Sequence, residues 1–164
     1  MSRTHHPRSI TVTTWLVLTM LALSAVTAFS TWVRHDDLVL AWAERNTAAG
    51  RILEQDGLQA LKDSTLVPSF VPLAIVSVMV FAPLAGVLLI FMRERIGWAR
   101  PALTATVAFS AVLAVQGISR DLPGMFLILS VLALIVQVAV LISIWMPENG
   151  RYIRSAETWV EINE

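Results

Sequence analysis

The side chains that could carry chemistry in this chain are few and scattered. Histidine occurs only at His5, His6 and His35, and cysteine is absent. A structural or catalytic metal site draws three or four His, Cys or carboxylate ligands from turn or helix spacings. The neighbouring pair His5 and His6 supplies two on a polar terminus and no third, which predicts a solvated tail and no metal centre. His35 stands beside Asp36 and Asp37, and aspartate readily caps a following helix. The trio is expected to start a helix running from Leu38 to Arg45. Without cysteine there is no disulfide, thiolate site or cysteine nucleophile. No Ser/His, paired-Asp or His/Glu set falls at one depth where acid–base or nucleophilic chemistry could begin. The expectation is a non-enzymatic protein with no catalytic residue, metal or cofactor.

The elements around those residues explain the shortage. Of 164 residues 56% are hydrophobic and only 15% charged, with a mean hydropathy of +0.69, too apolar for an ordinary soluble domain. Uncharged runs cover 9–33, 64–92, 101–119 and 122–147, and each reaches the roughly 18 to 20 residues that cross about 30 Å of hydrocarbon as helix. The predicted fold is all-α: a polytopic four-helix transmembrane bundle with short amphipathic helices in the outer loop between helices 1 and 2. It forms a single membrane domain, 1–164, with spans at 10–33, 67–92, 102–119 and 124–146, an outer helical segment at 34–63 and a cytoplasmic tail at 147–164. Val26-Thr27-Ala28 resembles a cleavage site, but the first apolar region outruns the usual 7 to 15 residues of a signal peptide, so that span is expected to be retained. A net charge of zero argues against nucleic acid as a partner.

Orientation follows from the corner Arg93-Glu94-Arg95-Ile96-Gly97-Trp98-Ala99-Arg100-Pro101. Arginines in so short a connection resist translocation, which puts the corner and both termini on the cytoplasmic side of the plasma membrane. Trp15, Trp98, Trp145 and Tyr152 then fall at the inner interface, and Trp32 and Trp42 at the outer one.

Within the outer segment Leu38, Ala41, Trp42 and Arg45 share one helical face, Thr47 is placed to cap a second helix, and Asp56 with Gln59 has capping-box spacing for a third. Trp42 is the leading candidate for contact with a partner protein, followed by Trp98, Arg93, Arg95 and Arg100 at the corner. Inside the spans, Pro83 frees the carbonyl of Met79 and should kink its helix. Gln116 and Gln137 are the buried amides expected along any polar path, and Gln137 should find a carbonyl or hydroxyl, an interaction worth about 0.6 to 2 kcal/mol. Ala102, Thr106, Ser110 and Ala114, with Gly117 following, make a small-residue stripe along which backbones can approach. That stripe predicts helix 3 to be the most buried, packed into helix 2, where Ala82 and Gly86 offer a flat surface. Helix 4, with Ala133, is expected nearer lipid.

Gly97-Trp98-Ala99-Arg100 and Trp145-Met146-Pro147-Glu148-Asn149-Gly150-Arg151-Tyr152 resemble the corners of small uncharacterised four-helix membrane proteins common in actinobacteria. The resemblance implies the four-span layout and no substrate or catalytic residue. Two functions are expected from the sequence. The first is an accessory or assembly partner of a membrane or envelope complex, with other membrane proteins or a second copy as partners within the lipid bilayer. The alternative is a small transporter or permease subunit for an uncharged or apolar solute, because charged residues, the usual mark of ion coupling, are missing from the spans.

Overall fold

The computed structural model describes residues 8–118 and 123–152; the His5–His6 terminus, the Arg120–Asp121 turn and the tail beyond Tyr152 lie outside them. The helices run α1 (Arg8–Val33), α2 (His35–Ala43), α3 (Thr47–Asp63), α4 (Phe70–Arg93), α5 (Ala99–Ile118) and α6 (Gly124–Ile144). A short helical stretch at 147–152 follows, and no strand occurs among the described residues. α1, α4, α5 and α6 are each long and apolar enough to cross a membrane, which makes this an all-α, multi-pass membrane protein.

α1 shows how a hydroxyl-rich sequence survives as a span. Thr14, Thr19, Ser24, Thr27 and Thr31 each donate their O–H to the carbonyl four residues back, at 2.8–2.9 Å. Such back-bonding satisfies the hydroxyl proton inside its own helix, where lipid offers no partner. At the other ends of spans prolines are admitted early: Pro72 and Pro101 each stand third in α4 and α5, where a missing N–H is no loss. α5 therefore starts before its proline, at Ala99, and not after it at 102.

α1 packs against α4 and α6, and α5 packs against the same two, so the bundle is a ring with α1 and α5 on a diagonal. The α5–α6 seam is the most extensive and the α4–α5 seam the thinnest of the four. This corrects the expectation that helix 3 is the most deeply buried and packs chiefly into helix 2; its burial matches that of the other spans. The flat surface expected at Gly86 has no neighbour, since a Cβ there would meet nothing within 4 Å.

The apolar core occupies the half of the bundle next to the α4–α5 corner. Ile10 and Val17 of α1, Leu88, Leu89 and Met92 of α4, Ala99, Leu103 and Val107 of α5, and Val140 and Ile144 of α6 are all buried there. Asn149, from the 147–152 stretch, closes that end: it is fully buried and its Nδ2 donates to Thr13 Oγ1 at 3.2 Å and to the Ser143 carbonyl at 2.7 Å.

The opposite end carries α2 and α3, joined through Val39, Ala43, Ala49 and Leu61. The helix starts differ from the sequence expectation. Asp36 and Asp37 lie within the first turn of α2, whose N-cap is Arg34 with no side-chain cap, so they act on the helix dipole. Asn46, not Thr47, caps α3: its Oδ1 accepts from Ala48 N and Ala49 N at 3.1 and 3.2 Å. The expected third helix survives as the portion of α3 beyond a break at Gly57 (φ 82°, ψ 177°).

Candidate functional site

At the corner, the α4 chain ends in a Schellman arrangement. Ile96 N donates to the Phe91 carbonyl at 3.0 Å and Arg95 N to that of Met92 at 3.2 Å, with Arg95 in the left-handed region at φ 66°. Glycine is the usual residue there. The arginine instead lays its guanidinium 4.3 Å from the Tyr152 ring centre, while Tyr152 donates its O–H to the Arg93 carbonyl at 3.2 Å. Arg100 is also turned inward. Its Nε donates to the Ile144 carbonyl at 3.0 Å, its guanidinium lies 4.4 Å from the Trp145 ring centre, and Gly150 leaves the room it occupies. Trp98 is exposed and meets Phe91 edge-on at 5.4 Å. Arg100 thus ties α5 to the end of α6, Arg95 ties the end of α4 to the 147–152 stretch, and of the candidate contact residues Trp98 and Arg93 are the exposed ones. At the other end Trp42 is half-buried against the α2–α3 cluster. The full exposure expected of Trp42 is corrected: part of its ring packs against its own chain.

Between the spans lies a cavity of about 240 Å³, partly open to its surroundings. Its lining comes from Met20 to Ala28 of α1, Ala74 to Ala85 of α4, Thr106 to Ala114 of α5 and Leu129 to Gln137 of α6. All four stretches lie from mid-helix toward the α2–α3 end, so the bundle is solid in its corner half and hollow in the other. Small side chains on every wall create the space. Thr106, Ser110 and Ala114 face it, which gives the predicted stripe a different role: where four helices all present small residues to one axis, a void forms before the backbones touch. Ala133 lines it too, correcting its placement toward lipid.

The polar lining is uncharged. Ser24, Thr27, Ser77 and Thr106 donate to carbonyls four residues back on their own helices. Gln137 is 2% exposed; its Nε2 donates to Ser110 Oγ at 2.7 Å, and its Oε1 is buried without a hydrogen-bond partner. An orphaned acceptor in a low-dielectric interior costs of the order of 1 to 3 kcal/mol, and this one belongs to a side chain of the cavity lining. The expected hydroxyl partner of Gln137 is therefore present, in Ser110. Gln116 and Pro83 are both exposed, which corrects their placement along an internal path: Gln116 lies about 200° around the helix from Ala114, and Pro83 points away from the face carrying Ala82. Gly117 belongs to α5, but its packing lies outside the described residues.

Sequence reasoning missed Ser24, Thr27, Ser77, Phe81 and Ser130. The available signal was helical spacing: Ser24 and Thr27 on α1, Ser77 and Phe81 on α4, and Ser130 and Gln137 on α6 stand three, four and seven residues apart, and such spacings share one face of a helix. Among the described residues no group of His, Asp or Glu could hold a metal ion. Comparison with protein-family models, with curated proteins and with solved structures found no match to this chain.

Proposed function

We propose that this chain is a non-enzymatic protein of the plasma membrane that takes a small, uncharged, largely apolar solute into its intramembrane cavity, as a binding or permease subunit. The single observation that supports this most is the cavity itself, walled by four spans and free of charge. Its volume exceeds the 150 Å³ or so that holds benzene and falls short of the roughly 300 to 1,000 Å³ of drug-sized pockets. The corner half is packed solid, so the cavity ends at mid-bundle.

An accessory role in a membrane complex is the second reading, supported by Trp98 and Arg93, both exposed at the corner and of residue types enriched at interfaces.

Thermal unfolding in lipid nanodiscs tests the first reading. Toluene should raise the Tm of the wild-type protein, benzoate and benzylammonium should not, and Ala114→Trp, which fills the cavity, should abolish the shift. A toluene shift of equal size in Ala114→Trp would contradict it. The proposed orientation, both termini and the arginine corner cytoplasmic, rests on the short basic connections. Single cysteines at Asp56 and Gly97 check it in a chain with none of its own: only Asp56→Cys should react with an impermeant reagent on intact cells.

A further inference from the structure

We infer that the cavity is built to take a lipophilic alcohol, bound by its hydroxyl at Gln137 and Ser110. This rests on the proposal that the cavity holds an uncharged solute, and adds what that solute must carry. Gln137 Oε1 has no donor, although the side chain is 2% exposed and forms part of the wall. Ser110 Oγ accepts from Gln137 Nε2 at 2.7 Å, and its own O–H, unlike that of Thr106 one turn earlier, is not spent on a backbone carbonyl. The wall therefore offers an acceptor and one uncommitted hydroxyl proton side by side, on Gln137 and Ser110, at the mid-helix end of the cavity.

A group that both donates and accepts completes this set, and a hydroxyl is the smallest that does. An ether or ketone accepts only and leaves Gln137 Oε1 orphaned. An amine or carboxylic acid would bring charge into a site that has no counter-charge, which is strongly disfavoured. Toward the α2–α3 end the lining is mostly apolar, with Met20, Phe81 and Leu113, and the hydroxyls of Ser24, Thr27 and Ser77 there are spent on carbonyls of their own helices, which suits a hydrocarbon body. A hydrogen bond that discharges a buried orphan is worth more than one exchanged with water, so selectivity for the alcohol is expected even in lipid.

The test uses the full-length protein in nanodiscs and an eight-carbon alkanol bearing a diazirine, photolysed in place, with adducts mapped by mass spectrometry. Adducts should fall on Met20, Phe81 or Leu113. 1-Octanol should compete at roughly three- to tenfold lower concentration than its isomer methyl heptyl ether, as expected for one hydrogen bond. In Gln137→Leu the adducts should remain while the two competitors become equal. Equal competition in the wild-type protein would overturn the inference and leave the solute-binding proposal standing. Absence of any adduct in the cavity, with Ala114→Trp indistinguishable from wild type, would overturn both. Gln137→Asn is the folding control, since it keeps the amide but withdraws it by one methylene, and it should bind with intermediate selectivity.

Discussion

Arg95 and Asn149 carry much of what is particular to this chain. A left-handed non-glycine residue costs roughly 1 to 2 kcal/mol, and Arg95 adopts that conformation with its guanidinium on Tyr152. A cation–π contact is worth about 0.5 to 2 kcal/mol, so strain and contact nearly cancel. Arg95→Gly should leave the Tm within about a degree or two, because it loses both, whereas Arg95→Val keeps the strain without the contact and should lose about 0.5 to 2 kcal/mol. Asn149→Ala should cost roughly 1 to 3 kcal/mol by removing the buried donor to Thr13 and Ser143. The sequence marked Arg95 by charge and placed it at a partner's surface. Its inward role was hidden because nothing local announces that residue 152 folds back across residue 95. Gln137 was legible, since an amide at mid-span must find a partner. Gln116 was not, because depth alone does not say which way a helix face turns.

At the level of elements, the spans were legible to within three residues, from charge-free length and early prolines. The α2–α3 pair was legible as helices but not as a unit, because its cohesion depends on contacts such as that of Lys62 Nζ with Asp36 Oδ1 at 2.7 Å, 26 positions apart. That hydrogen bond holds the Asp36 carboxyl below the ordinary carboxylate range. A lowered folded-state pKa contributes stability above the ordinary carboxylate value and loses it as pH falls through the folded value. Amide exchange in α3, corrected for intrinsic rate, should accordingly report more frequent opening below about pH 4, and Asp36→Asn should remove that pH dependence. Gly57 sets the break in α3. Its φ and ψ belong to a region open essentially to glycine alone, and Gly57→Ala should cost roughly 1 to 3 kcal/mol of α3 stability. The penalty is conformational, since a Cβ there meets nothing within 4 Å.

The molecule as a whole is a ring of four spans, solid toward the α4–α5 corner and hollow toward α2 and α3. Four-span architecture could be read directly from the charge-free runs. The hollow could not, because small residues at fourfold spacing allow two outcomes: close backbone contact or a void. Which one forms depends on whether the facing helices bring large or small side chains, and here Ala74, Ser77, Ser130 and Ala133 meet Ser110 and Ala114 with small ones. Ala99 and Ala114, on the same helix, put this to the most direct test. Ala99 is fully buried within the packed corner core, where an added isobutyl group overpacks at about 1 to 3 kcal/mol; Ala114 faces open space, where the same group finds new contacts. Thermal unfolding in nanodiscs should show Ala99→Leu melting below the wild-type protein and Ala114→Leu melting at or above it. If Ala114→Leu lowers the Tm as far as Ala99→Leu does, the helices are in close contact along the stripe and the cavity is not there.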